Sequence, residues 1–103
     1  MFAREWKARC PVHQKKAFIE YLHQTGVKET SATPGFKGAQ IFTREIVERV
    51  EVTLISYWDS LESIKSFAGD DIGVAKLYPD DCKYELEPDN FVTHYEVIES
   101  TWG

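Results

Sequence analysis

Residues 53–71 read TLISYWDSLESIKSFAGDD. The first part closes a strand and the second opens a helix. Extended leftward, the strand runs from Arg49 to Trp58. Val50, Val52, Leu54, Ser56 and Trp58 fall on one face, and Glu51, Thr53, Ile55 and Tyr57 on the other. Asp59 or Ser60 then serves as N-cap, and Asp59 with Glu62 has capping-box spacing. Leu61, Ile64, Phe67 and Ala68 recur at helical spacing and predict a buried stripe. Gly69 stops the helix.

The residues before this stretch carry the same strand–helix order. Phe2 to Arg9 alternates as a strand, with Phe2, Arg4, Trp6 and Ala8 on one face. Pro11 ends it. From Val12 to Thr25 the period becomes helical, with Ala17, Phe18, Tyr21, Leu22 and Thr25 in one stripe, and Gly26 is read as its left-handed stop. Lys28 to Gly35 has linker composition. Phe36 to Ile46 is a second strand, in which Gly38 predicts a bulge or a close backbone approach. A short connection joins it to the 49–58 strand as a hairpin.

Beyond Gly69, Asp70 or Asp71 is expected to cap a short helical turn through Ile72, Ala75 and Leu77, which Pro79 ends. Pro79 to Asn90 is acidic and turn-rich, with no element assigned. Phe91 to Ile98 is the last strand, with His94 and Glu96 on one face and Tyr95 and Val97 on the other.

The order β-α-β-β-α-β predicts an α+β, ferredoxin-like arrangement, an antiparallel four-stranded sheet with helices on one face. The 103 residues make one domain, 1–103, on size alone. The opposite sheet face is expected to carry Ala39, Ile41, Ile55, Tyr57, Tyr95 and Val97. So much apolar surface predicts a homodimer packed through sheet faces.

Composition narrows the function classes. The net charge is −5, spread as +3 over residues 1–57 and −8 over the remainder. An acidic chain lacks the basic face that phosphate contacts require, so nucleic acid is not an expected partner. There is no long apolar run and no signal peptide, which argues against membrane insertion and for the cytoplasm. The two cysteines, Cys10 and Cys82, stand outside any CxxC or zinc spacing, so no metal is expected. Phosphate loops, GxSxG, HExxH and dinucleotide fingerprints are missing from the sequence.

Several inward-facing side chains could carry chemistry. Arg4 could clamp an anion or an enolate, or it could form a structural ion pair with Glu96. His94 beside Glu96 has the composition of a general base, and equally of a hydrogen-bonded strand histidine. Trp6, Trp58, Tyr21 and Tyr78 could box a flat aromatic ligand or simply fill the core.

The layout, the junction SYWDSLESIKSFAG (56–69) and the closing HYEVI (94–98) together resemble the antibiotic biosynthesis monooxygenase-like proteins. The resemblance covers nearly the whole chain. It implies a dimeric α+β barrel with a pocket between sheet and helices for a small hydrophobic or aromatic ligand. It also implies a choice of activities. The first is a cofactor-independent monooxygenase acting on an aromatic or quinol-type substrate. There His94 would be the base, Arg4 the electrostatic group, and Trp6, Tyr21, Trp58, Phe67, Tyr78 and Glu96 the substrate-binding set. The alternatives are a non-catalytic binding or stress-response protein and a polyketide cyclase or isomerase. The haem-degrading branch uses an Asn on the first strand, a Trp on the second helix and a later His. This chain has Arg4 and Trp6, then Phe67, then Lys76, Leu77 and Tyr78 at those places, which counts against haem.

Overall fold

A computed structural model describes residues 1–75 and 84–101. Strand β1 (Phe2–Pro11) leads through a 3-10 turn into α1 (Lys15–Leu22). The helix continues through a π turn (His23–Val27) into α2 (Lys28–Ser31). Strands β2 (Phe36–Ile46) and β3 (Arg49–Trp58) form the hairpin, followed by α3 (Leu61–Ala68). Two short strands, β4 (Glu87–Pro88) and β5 (Thr93–Glu96), complete the chain. The sheet order is β2-β3-β1-β4, with β5 also on β1, and every pair is antiparallel. The fourth position of the expected ferredoxin-like sheet is therefore one interrupted strand.

The inward faces meet as alternation predicts. Cys10, Phe18, Leu22, Val50, Val52 and Leu54 form the core between sheet and first helix. Trp58 of β3 and Ile64 of α3 are fully buried, but Leu61 of the predicted α3 stripe lies exposed. Ala17 is the exception in its predicted stripe, since it lies exposed. Ser60 is the N-cap of α3, and its Oγ accepts from the Ser63 N–H at 3.2 Å. Asp59 supports it by accepting from Ser63 Oγ at 2.6 Å. That contact holds the exposed Asp59 carboxyl below the usual aspartate range, as suits a cap.

Two sequence expectations are corrected. The first helix does not stop at Gly26, which has a helical neighbourhood and no positive φ. The π turn carries the chain through it, and glycine is needed there for space. A Cβ would stand 3.1 Å from Leu22 Cδ1 and 3.4 Å from Leu54 Cδ2. The first half of the predicted Lys28–Gly35 linker, Lys28–Ser31, is consequently the helix α2, and the rest is turn.

The second correction concerns β2. Gly38 does mark a bulge, a register shift between Phe36 and Gly38. One extra residue reverses every later side chain, because the strand period is two. Ala39 and Ile41 therefore pack on the core, while Gln40, Phe42 and Arg44 occupy the outer face. The outer face is thus more polar than expected. Glu51 is buried there among Arg44 at 2.9 Å, Arg9 at 3.5 Å and Lys7 at 3.8 Å. Arg44, first among these cations, holds the carboxyl below its usual range. Phe42, Ile55, Tyr57 and Tyr95 supply the apolar remainder of that face.

The predicted helical turn after Asp71 is a turn alone among the described residues. Asp71 Oδ1 accepts from the Gly73 N–H at 3.3 Å. Leu77 and Pro79 lie outside the described residues.

Gly35 joins the two halves. Its φ is +93°, its carbonyl accepts from the Asp59 N–H at 2.9 Å, and a Cβ would overlap Ser63 Oγ and Asp59 Oδ1. Gly35→Ala should lower stability by about 2 kcal/mol or more, read as a shift in the denaturant midpoint at constant slope.

Candidate functional site

Arg4 is the centre of the site. It faces inward from β1 opposite Ser56 on β3 and His94 on β5, and only 4% of it is exposed. No carboxylate pairs with it among the described residues. Its Nη1 donates to the Ile72 carbonyl at 2.6 Å, and its Nη2 to the Val74 carbonyl at 3.3 Å. Nη1 also lies 3.1 Å from His94 Nε2, and the guanidinium carbon sits 5.8 Å from the centroid of the Phe67 ring. These neutral partners only partly replace water. Burial pushes the pKa down to about 10, which leaves the group charged at neutral pH.

The proposed ion pair with Glu96 is absent. Glu96 is exposed and stands opposite Phe2 in the ladder. His94 takes the neighbouring place. A guanidinium can only donate, so Nε2 must be the acceptor and the imidazole neutral. Desolvation first, and the Arg4 charge second, push the His94 pKa below its usual value. His94 therefore sits behind Arg4 with its lone pair committed, which is the geometry of an orienting group as much as of a base.

A cavity of about 40 Å³ opens beside Arg4. Trp6, Leu54 and Ser56 line it from the sheet, Val92 from the segment just before β5, and Phe67 from α3. Leu22, Thr25, Gly26 and Thr30 close it from the first helical run. That volume admits roughly three waters, whereas a single aromatic ring needs about 150 Å³. Binding a ring requires the walls to move. The π turn forms one wall, and such turns interrupt the regular helix ladder, often at functional sites.

The predicted aromatic box is only partly assembled. Trp6 and Phe67 line the cavity. Trp58 does not, because it is wholly buried between Phe36 and Phe67, with centroid distances of 5.8 Å to each, and is a core residue. Tyr21 is set aside from the cavity against Phe18 and Tyr84, the latter at 4.9 Å. Tyr78 lies outside the described residues. The helix wall was missed by placing a stop at Gly26. Leu54, Ser56 and Val92 were readable, since alternation already put them on the inward face. The Arg4 partners Ile72 and Val74 act through backbone carbonyls, which no side-chain pattern announces.

The arrangement is an apolar cavity with one buried positive charge. It can hold an oxyanion, and the neutral imidazole can take a proton only by releasing Arg4. No group of three or more potential metal-ligating side chains occurs among the described residues. Among those residues no helix is long and apolar enough to cross a membrane.

Solved structures of the same architecture cover the chain from end to end. A dimeric ferredoxin-like protein from an uncultured marine organism superposes with a TM-score of 0.68 at 13% identity, over 100% of both chains. A Bacillus cereus protein described as a candidate antibiotic biosynthesis monooxygenase gives 0.62 at 19% identity, over 100% of this chain and 97% of that one. The Streptomyces coelicolor ActVA-Orf6 monooxygenase, solved with nanaomycin D, gives 0.57 at 13%, over 99% and 91%. This chain has the fold of the antibiotic biosynthesis monooxygenase-like proteins. At these identities the likeness is one of fold. No family pattern matches the sequence, and no curated protein matches it.

Haem-degrading proteins share the fold too. His94 has its Nε2 turned to Arg4 and is not among the residues that line the cavity, whereas Phe67 is.

The His94 geometry has a pH consequence. A histidine kept neutral in the fold binds its proton more weakly there than in the unfolded chain. Its contribution is complete above the unfolded value of about 6.5 and declines as pH falls below it. The unfolding midpoint should fall between pH 7.5 and 5.5, and His94→Gln should flatten that slope in parallel thermal melts.

Proposed function

We propose that the protein is a cofactor-independent monooxygenase for a small aromatic or quinol-type substrate. The observation that carries this reading is the buried Arg4 charge, without a carboxylate partner among the described residues, at the wall of an apolar cavity. Such a charge favours the ionised form of a phenol or enol by electrostatics in a water-poor site. An electron-rich carbanion of that kind can reduce oxygen directly. One oxygen atom ends on the substrate carbon as a carbonyl and the other leaves as water, with the substrate supplying the electrons and protons.

In this scheme the substrate oxyanion displaces one of the Arg4 contacts to Ile72, Val74 or His94. His94 then has its Nε2 free to take the hydroxyl proton. Trp6 and Phe67 flank the ring and exclude water. The ActVA-Orf6 protein, described as a monooxygenase and solved with the ligand nanaomycin D, supports the substrate class.

The functional unit proposed is a homodimer. The outer sheet face leaves Phe42 and Tyr95 nearly half exposed beside Ile55 and Tyr57, and a second copy would cover them. The dimeric protein of the same fold supports this. Light scattering at micromolar concentration should return twice the chain mass, and a monomeric mass would end the dimer proposal.

Oxygen uptake with a panel of quinols tests the reaction. Arg4→Gln should lower turnover by about a hundredfold or more, the usual scale for removing a group that stabilises an oxyanion. His94→Ala should lower it by a comparable factor, the scale of general-base loss, with ligand binding retained. Rates in both variants unchanged from those of the unaltered protein would overturn the assignment.

A further inference from the structure

Trp6 carries a buried donor with no acceptor among the described residues, its solvent-shielded Nε1–H. Leaving such a group unpaired is costly, and buried donors in native proteins are nearly always paired. Trp58 shows the ordinary outcome on the same sheet face, where its Nε1 donates to Ser56 Oγ at 2.9 Å. Trp6 differs in one respect. It is a wall of the cavity, two residues from Arg4 on the same strand face and so about 7 Å away along β1.

Two of the other polar groups of the lining share its sense. Arg4 can only donate. Ser56 Oγ already accepts from Trp58, so its own proton is left to donate, and it has no acceptor among the described residues. Thr25 and Thr30 spend their hydroxyl protons on the Tyr21 and Val27 carbonyls, so any hydrogen bond they make to a ligand is one they accept. No carboxylate among the described residues lines the cavity.

We infer that Trp6 is a specificity-determining donor, which reads an acceptor oxygen on the ligand while Arg4 reads a second one. The ligand is then a flat apolar frame bearing two acceptor oxygens, carbonyl or oxyanion, and cations are excluded. The size of the cavity explains why the indole N–H is unpaired without ligand. Seating a ring must displace the walls, and a displaced Trp6 gains the acceptor it lacks. The inference rests on the cavity being the ligand site proposed above, but not on the oxygen chemistry assigned to it.

NMR titration with three probes on one bicyclic frame tests it: 2-hydroxy-1,4-naphthoquinone, naphthalene and 2-naphthylmethylammonium. The unaltered protein should bind the first most tightly and the ammonium not at all. Trp6→Phe should weaken hydroxynaphthoquinone by about tenfold and leave naphthalene unchanged, the loss of one buried hydrogen bond. Replacing Trp6 by 3-benzothienylalanine keeps the ring shape without the N–H and should do the same, which covers the case in which Trp6→Phe fails to fold. Equal weakening of both probes would reduce Trp6 to a packing wall and overturn the inference. So would binding of the ammonium, or no binding of hydroxynaphthoquinone. Selective binding without oxygen uptake from any quinol would end the oxygenase reading alone. Turnover with unaltered probe selectivity in the Trp6 variants would end the Trp6 assignment alone.

Discussion

The ladder between β1 and β3 is the constraint on which the rest depends. It pairs Phe2 with Trp58 at one end and Pro11 with Arg49 at the other without a break. An unbroken register of that length sorts two whole strands into an inner and an outer face. The inner sorting brings Ala8, Cys10, Val50, Val52 and Leu54 under the first helix and places Arg4 against Ser56. The outer sorting gathers Lys7, Arg9 and Glu51 into one charge cluster. Core, site and outer face are consequences of one pairing.

Arg4 is the cost that this pairing imposes. The same alternation that buries Ala8 and Cys10 carries a guanidinium inward. The fold meets the cost with backbone carbonyls from the turn at Ile72–Val74, a neutral histidine and an aromatic face. These partners are weaker than a carboxylate, and that matters for function. A buried Arg–carboxylate pair would be neutral and hard to open. A charge held by carbonyls and an imidazole keeps a net attraction for an incoming oxyanion. Trp6, next on the same face, adds a donor that is unspent among the described residues.

Most of the fold was legible because the relevant signals are local. Strand alternation from Arg49 to Trp58, the cap at Ser60 and the stop at Gly69 need only a few neighbouring residues. The inward placement of Arg4, Trp6 and His94 followed from the same period. Errors arose where one local signal had two outcomes. Gly26 can end a helix or let it approach a sheet, and the decision belongs to Leu54 on another strand. Gly38 signalled a bulge, yet its effect on the faces of Ala39 and Ile41 depends on the register with β3. Trp58 and Trp6 look alike in sequence, and only packing makes one a core residue and the other a cavity wall.

The sequence by itself determined the order of elements, the two faces of each strand and the class of fold, because hydrophobic period and turn chemistry act over short distances. Tertiary structure alone decided what each inward polar group faces. Glu96 and His94 are both two-residue neighbours on β5, but the register puts His94 opposite Arg4 and Glu96 opposite Phe2. A hydrogen-bond partner is chosen by proximity in space, and for Arg4 that includes carbonyls some seventy residues away, which every residue type presents equally.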